Sequence, residues 1–124
     1  MRRLGVRGFT LIEVLVALAI VAVALLAAVR AAGSMAQVNI ELRLRLLAQL
    51  SADNRIAELR AAGAFPPLGT RTTPCPQGRT ALQCVEEVKS TPNPLFRRVE
   101  VRVYAGPDAA SMLAELVGIL PQRR

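Results

Sequence analysis

The sequence lacks histidine and tryptophan altogether, and it has one lysine, one tyrosine and two cysteines among 124 residues. Catalysis by proton transfer or by a nucleophile most often uses histidine, cysteine, lysine or paired carboxylates. The acidic residues are dispersed, and the one adjacent pair, Glu86 and Glu87, would point to opposite faces of a strand. The composition therefore argues against an enzyme, and it indicates neither a cofactor nor a small-molecule substrate.

The sequence also contains few of the residues that a metal site or a nucleic-acid site needs. Two cysteines without histidine supply too few ligands for a zinc site built from protein side chains alone. The net charge is +7, but Arg2, Arg3 and Arg7 contribute three of the positive charges, and aromatic residues make up only 3%. Because the remaining basic residues form no stripe with interleaved aromatics, the sequence does not predict nucleic-acid binding.

A long apolar run dominates the N-terminal quarter of the chain. Every residue from Val14 to Val29 is apolar, and residues 9–30 together are long enough to cross a bilayer as one helix. Arginines ahead of an apolar helix favour a cytoplasmic N-terminus, which in a bacterium leaves everything after Arg30 in the periplasm. The sequence thus predicts a single-pass protein of the bacterial inner membrane.

Three interpretations fit residues 1–30. A secretory signal is cut among small residues such as those from Ala27 to Gly33, a plain anchor is not cut, and a pilin-type leader is cut ahead of the apolar run. Glu13 separates them, because a carboxylate inside an apolar helix costs about 3 kcal/mol on insertion scales. A generic signal or anchor gains nothing from that cost, although an acid one turn inside the membrane edge is also tolerated.

The residues around Glu13 favour the third interpretation. The segment Gly8-Phe9-Thr10-Leu11-Ile12-Glu13, preceded by three arginines, resembles the processing motif of type IV pilins and type II secretion pseudopilins. The resemblance implies that a prepilin peptidase removes residues 1–8 as a leader, cutting between Gly8 and Phe9, and methylates the new amine of Phe9. It also implies that Glu13 pairs with the N-terminal amine of a neighbouring subunit during assembly, where an unpaired buried charge would be costly.

The helix is predicted to continue well beyond the membrane. No proline occurs from Phe9 to Ala62, and Gly63 followed by Pro66-Pro67 predicts its end. Residues 31–63 therefore form a periplasmic continuation of the transmembrane and assembly helix of residues 9–30. The apolar side chains of this continuation fall on two faces, whereas a helix packed on its own domain needs one.

These two apolar stripes are a candidate helix–helix interface. They consist of Met35, Val38, Leu42 and Leu46 on one face and of Ile40, Leu44 and Leu47 on another. Two stripes favour a second partner, namely a helix of another subunit. The alternative is a helix buried on two sides within its own small domain.

Residues 64–124 are predicted to form a small β-rich periplasmic region. Residues 64–76 are rich in proline, glycine and threonine and are predicted as a loop. Cys75 and Cys84 favour a disulfide in the periplasm over the alternative of two free thiols. The clearest strand is Arg97–Tyr104, in which valines alternate with polar residues, and residues 80–88 are a weaker candidate.

The remaining connections are assigned from their turn residues. Turns are predicted at Ser90–Pro94 and at Gly106-Pro107-Asp108. Residues 112–120 fit either a short helix or a strand by pattern alone.

Two later segments resemble one particular group of pilin-like proteins. The segment Ala52-Asp53-Asn54-Arg55-Ile56-Ala57-Glu58-Leu59 resembles a stretch of the I-type minor pseudopilins, and Arg97–Val103 with Leu116–Leu120 resembles their strands. Many members have a tryptophan where this chain has Thr80–Val85, and the cysteine pair is not a general family feature. The resemblance implies an α+β, pilin-like fold. Its long N-terminal helix spans the membrane with its first half and packs on a small antiparallel sheet that includes residues 116–120.

Resemblance to the I-type proteins also implies a function. A member is a structural minor pseudopilin that joins the J-, K- and H-type pseudopilins in a complex at the pseudopilus tip, which starts pseudopilus assembly for export of folded proteins across the outer membrane. The alternative is a minor pilin of a type IV pilus, used for adhesion, motility or DNA uptake. A membrane-anchored periplasmic enzyme would need a cleft with a perturbed titratable group, and the sequence offers no residue for one.

Overall fold

The computed structural model describes residues 5, 8–106 and 111–123, which form one helix followed by four strands. The elements are α1 (Leu11–Ala61), β1 (Gly69–Pro74), β2 (Gln83–Ser90), β3 (Phe96–Tyr104) and β4 (Met112–Pro121). This arrangement confirms the predicted α+β fold. Three leader arginines and two residues of a predicted turn lie outside the described residues: Arg2, Arg3, Arg7, Pro107 and Asp108.

The chain divides into two compact units, residues 1–40 and residues 41–124. The first contains the beginning of α1, and the second contains the end of α1 together with all four strands. Each unit is therefore described by itself below.

Both ends of α1 are capped by local hydrogen bonds. At the start, the backbone N–H of Glu13 donates to the hydroxyl oxygen of Thr10 at 3.3 Å, as an N-cap requires. At the end, Gly63 adopts a φ of +62°, which a residue with a β-carbon rarely takes. The backbone N–H of Ala64 then reaches the carbonyl of Leu59 at 2.9 Å, which closes the helix in a Schellman motif.

The four strands form one antiparallel sheet in the order β1-β2-β3-β4, so each strand pairs with its neighbour in sequence. The strand predicted over residues 97–104 is confirmed as β3, and the weaker candidate is confirmed as β2. Residues 112–120 lie in β4, so the helical alternative for them was wrong. The predicted turn after β2 is also confirmed, because the side-chain oxygen of Asn93 accepts from the N–H of Leu95 at 3.0 Å.

Strand β1 corrects the prediction of a loop over residues 64–76. It pairs with β2 from Gly69 opposite Val88 to Pro74 opposite Gln83. Five of its six residues are exposed, because it lies at the edge of the sheet and contributes little to the core. An edge strand tolerates glycine and proline at its ends, and these two residue types are the ones that made the segment look like a loop in the sequence.

The core lies between one face of the sheet and the last five turns of α1. On the helix, the buried residues are small or apolar and include Ala48, Ala52, Ile56 and Leu59. On the sheet, the central contribution comes from the three valines of β3 that the sequence predicted on one face, Val99, Val101 and Val103, each 0% exposed. The three valines lie on one face of β3 as predicted, and Glu100 on the other face is buried as well.

Gly118 of β4 allows close contact between the helix and the sheet. A β-carbon added there would lie 2.9 Å from Cδ1 and from Cγ2 of Ile56, closer than packed carbons approach. We expect Gly118→Val to destabilise the second unit by about 1–3 kcal/mol, since it overfills a packed core. Thermal unfolding of the full chain in detergent, followed by circular dichroism, measures the effect.

The same measurement on Gly106→Ala provides the control, because a β-carbon at Gly106 meets no atom within 4 Å. Combining Gly118→Val with Ile56→Val should recover part of the loss, since the second change removes a methyl group beside the new side chain. Equal losses for the Gly118 and Gly106 variants would contradict the close contact.

Candidate functional site

The predicted cleavage junction precedes the first turn of α1. Phe9 is 84% exposed, and Gly8 is exposed as well. A β-carbon at Gly8 would meet no atom within 4 Å, so none of the described residues packs closely against this side of the junction. Both residues of the predicted junction are therefore exposed.

Glu13 lies in the first turn of α1 and is exposed. Beside it is a shallow, mostly apolar groove lined by Phe9, Val14, Ala17, Leu18 and Val21. The backbone N–H of Glu13 is already used in the N-cap, whereas no hydrogen bond or ion pair of its carboxylate is found among the described residues.

The first unit exposes an apolar helix that water alone would solvate poorly. Every described residue from Leu11 to Ile40 is exposed, including Leu15, Ile20 and Leu25 at about 60% each. Within the described part of the chain, α1 is the one helix that is long and apolar enough to cross a membrane. Bilayer or neighbouring helices are needed to cover these side chains.

The residues of the predicted helix–helix interface divide between two environments. Leu44 and Leu47 are half-buried and pack against the core of the chain's own sheet. The other five are between 53% and 71% exposed: Met35, Val38, Ile40, Leu42 and Leu46. The second of the two faces is therefore partly occupied within the chain, while the first is open, and its contact with another subunit stays a prediction.

A buried ion pair joins the helix to the sheet. The carboxylate of Glu86 on β2 is 0% exposed and accepts a hydrogen bond from Nε of Arg55 on α1. Arg71 of β1 approaches the other oxygen of the same carboxylate at 3.5 Å. Arg55 also pairs with Glu58 at 3.0 Å, and the bond to Glu86 is the largest influence that raises the pKa of the Arg55 guanidinium.

A second polar contact lies one helical turn before Arg55. Ser51 is 1% exposed, and its hydroxyl donates to the backbone carbonyl of Cys75 at 2.8 Å. Cys75 is joined to Cys84 of β2 in a disulfide, with the two α-carbons 5.8 Å apart. The helix is therefore hydrogen-bonded to the segment that the disulfide attaches to the sheet.

The opposite face of the sheet carries a cluster of alternating charges. Glu100 of β3 has an 8% exposed side chain, surrounded at 3.0–3.1 Å by Lys89, Arg98 and Arg102. Arg102 also contacts Glu87 at 3.1 Å and Glu115 at 3.4 Å. Three cations and three carboxylates thus neutralise one another across β2, β3 and β4, and the cluster leaves no excess charge for an ionic partner.

Glu100 is expected to make the second unit sensitive to acid. The hydrogen bond from Lys89 is the largest influence on the pKa of Glu100 and lowers it, although burial opposes the shift. A carboxyl group whose pKa is lowered by folding stabilises the fold above its unfolded pKa, and this stabilisation is lost as the pH falls through the lowered value. Glu100→Gln should therefore lower the melting temperature at neutral pH, and its difference from the unaltered chain should shrink below about pH 4.

Melting curves of both proteins between neutral pH and about pH 3 test this expectation. Glu115→Gln is the matched control on the same face, because Glu115 is 40% exposed and meets one cation at 3.4 Å. A difference between Glu100→Gln and the unaltered chain that stays constant over this pH range would contradict the assigned ionisation.

The sequence did not predict the burial of Glu86 or the charge cluster around Glu100. Their side chains take opposite faces of neighbouring strands, and which face is covered depends on the register between β2 and β3, where Glu86 lies opposite Val101. The available signal was alternation: Cys84, Glu86 and Val88 are two residues apart and all buried. Aligning that trio with the valines of β3 would have placed Glu86 in the core.

Comparison with known families returns two matches that together cover most of the chain. The family model described as "Type II secretion system (T2SS), protein I" matches residues 42–121. The model described as "Prokaryotic N-terminal methylation motif" matches residues 3–29. Among curated proteins no match is found. The first match spans the end of α1 and the whole sheet, and the second spans the junction, Glu13 and the apolar run.

Proposed function

The chain belongs to the family of type II secretion system protein I, and we propose from this membership that it is a structural minor pseudopilin of the complex at the pseudopilus tip. In this role it makes no chemical conversion. Its helix and its small domain provide surfaces on which other pseudopilins assemble, and the assembly starts the pseudopilus that helps to export folded proteins across the outer membrane.

One observation carries the proposal: a methylation motif and a protein I domain lie in a single chain, joined by one continuous helix. The matched motif covers the predicted Gly8–Phe9 junction and the acid Glu13, which lie at the start of an apolar helix whose residues from Leu11 to Ile40 are all exposed. A helix of this kind supports both anchorage in a membrane and packing beside the equivalent helices of neighbouring subunits.

Processing creates the charge that Glu13 is suited to pair with. Removal of residues 1–8 by a prepilin peptidase leaves the amine of Phe9 at the start of the helix, where N-methylation keeps it basic. When subunits pack side by side, that amine becomes surrounded by apolar side chains, and a neighbour's Glu13 compensates its charge. The apolar groove beside Glu13 provides space for the neighbour's first residues.

The proposed partners and location follow from the same role. Before assembly, residues 9–30 cross the bacterial inner membrane, and residues 31–63 and 64–124 lie in the periplasm. The J-, K- and H-type minor pseudopilins are the proposed partners at the tip. The open stripe of Met35, Val38, Leu42 and Leu46 supports contact through α1.

Mass spectrometry of the mature N-terminus tests the processing step. Co-expression with a prepilin peptidase should yield a chain that begins at N-methylated Phe9, and Gly8→Leu should leave the leader attached because the peptidase must approach Gly8 closely. An intact Met1 in the unaltered chain, or a cut near Ala28, would overturn the proposal. Co-purification of the full chain in detergent with J-, K- and H-type proteins tests the partners.

A minor pilin of a type IV pilus remains the competing role, since the methylation motif is equally expected there. The match over residues 42–121 favours secretion, because it extends beyond the motif to the domain. Deleting the gene separates the two roles: loss of secreted proteins with intact pili supports the pseudopilin, and loss of pili with normal secretion supports the pilin.

A further inference from the structure

The sheet has two edge strands, which are β1 and β4 in the part of the chain that the structure describes. An edge strand presents backbone N–H and C=O groups that no neighbouring strand of its own sheet pairs. Natural proteins commonly block such a row with proline, with charge or by keeping the strand short. β1 has six residues and β4 has ten, so the longer edge is β4.

The register between β3 and β4 identifies which backbone groups of β4 point outward. In an antiparallel pair, opposite residues alternate between those that exchange two hydrogen bonds and those that exchange none. The N–H of Gln122 donates to the carbonyl of Leu95 at 2.8 Å, which continues the register of the two strands. Counting back in steps of two, every second residue from 114 to 120 therefore bonds to β3. The residues between them direct their N–H and C=O groups to the free edge: Glu115, Val117 and Ile119.

The same count along β1 gives a blocked edge. The N–H of Cys75 donates to the carbonyl of Leu82 at 3.0 Å, which continues the register of β1 and β2. Residues 69, 71 and 73 therefore bond to β2, and the outward positions are Thr70, Thr72 and Pro74. Because proline has no N–H, β1 has two outward donors, whereas β4 has three in succession.

Apolar side chains flank the outward groups of β4. Val117 and Ile119 are each 45% exposed, and their side chains share one face of the sheet because they are two residues apart. The one charged residue of β4 is Glu115, which already meets Arg102 at 3.4 Å. A strand added at this edge thus meets backbone donors and acceptors, apolar side chains and a carboxylate that is already paired.

From this geometry we infer that β4 pairs with the β4 strand of a second copy of this chain, which joins two four-stranded sheets into one. The occupant has to be an extended strand with unpaired outward groups and apolar side chains, and β4 itself meets that requirement. When antiparallel strands are centred on Gly118, Val117 of each copy lies opposite Ile119 of the other, so apolar residues face each other. The two Glu115 residues are then about 20 Å apart along the strands, so their charges do not meet.

Pairing of this kind is isologous and closes at two copies, because each copy uses the same strand and the other edge is blocked at Pro74. It goes beyond the proposed function, since it requires neither cleavage of the leader nor another pseudopilin.

Hydrogen exchange of the full chain in detergent locates the pairing. The protein mass per complex, measured by sedimentation, should rise from one chain to two as the ratio of protein to detergent increases. When about nine-tenths of the chains are paired, amides that exchange only from the unpaired copy should slow about tenfold. We expect this slowing at Val117 and Ile119, and unchanged exchange at Thr70 and Thr72 of the other edge.

Val117→Lys tests the same edge by substitution. It places a charge beside the outward groups of β4, as natural edge strands do to prevent pairing. Because Val117 lies opposite Glu100 of β3, the lysine has a carboxylate nearby, and the melting temperature should change little. Association of the two copies should weaken by about tenfold or more, since pairing would bury the new charge. Thr72→Lys is the matched control, because it adds the same charge at an exposed outward position of β1 and should leave association unchanged.

A chain that stays single at every ratio, or pairs in which exchange at Val117 and Ile119 is unchanged, would overturn the inference. Pairs that Val117→Lys leaves intact would assign the association to the exposed side chains of α1 instead. Slowing that appears only when a J- or K-type protein is added would give the edge a different occupant and overturn pairing with a second copy. These measurements use this chain alone, so failure to capture the proposed partners and failure of the pairing are distinguishable.

Discussion

Glu13→Ala is expected to leave cleavage at the Gly8–Phe9 junction intact and to prevent assembly. The substitution keeps the backbone N–H of residue 13, which donates to the hydroxyl of Thr10, so the start of α1 should persist. In the proposed assembly, however, the neighbour's amine would lose the carboxylate that compensates it. Removing one member of a buried pair costs about 3–5 kcal/mol, which corresponds to a loss of about two orders of magnitude or more in association.

Two measurements distinguish an effect of Glu13→Ala on cleavage from an effect on assembly. Mass spectrometry should find N-methylated Phe9 in the variant as in the unaltered chain, and co-purification with the other minor pseudopilins should fall to background. Glu41→Ala is the control, because Glu41 is an acid of the same helix whose partner, Arg45, belongs to the same chain. Normal co-purification of the Glu13 variant would refute the pairing, and a block in cleavage would assign Glu13 to processing instead.

How much of the fold the sequence predicted depends on how each element contacts the core. The helix was predictable because a long run without proline allows it to continue unbroken. Strand β3 was predictable because the alternation of Val99, Val101 and Val103 indicates which of its faces is buried. β4 was ambiguous, since its nearly continuous apolar residues satisfy both helical and strand periods. β1 was missed because an exposed edge strand needs no apolar alternation and is held by backbone pairing to β2.

The candidate site residues divide in the same way. Gly8, Phe9 and Glu13 lie within one six-residue segment, so local sequence was sufficient to nominate them. Arg55 and Glu86 are 31 residues apart, and their contact depends on the docking of α1 on β2. Leu44 and Leu47 appeared as a second stripe for a partner, yet they pack against the chain's own core. Periodicity identifies which residues need covering, but it cannot say whether the cover comes from the same chain.

The Cys75–Cys84 disulfide is expected to supply a large share of the stability of residues 41–124. Its two cysteines are nine residues apart. Cys75 directly follows β1 and Cys84 lies in β2, so the bond closes the loop between these two paired strands. Closing a loop of this size removes freedom from the unfolded chain and stabilises by about 2–3 kcal/mol. Within the loop, Leu82 is 2% exposed in the core, so opening the loop also loosens an apolar contact.

Replacing both cysteines by alanine should accordingly lower the melting temperature of the full chain in detergent by about 10–20 °C, given the size of the second unit. A reducing agent should lower the melting temperature of the unaltered chain by a similar amount and leave the variant unchanged, which separates loss of the bond from loss of sulfur volume. Because Ser51 donates to the carbonyl of Cys75, the loss should extend to the helix. Amides of α1 near Ser51 should then exchange faster with solvent, whereas unchanged exchange there would confine the effect of the disulfide to the sheet.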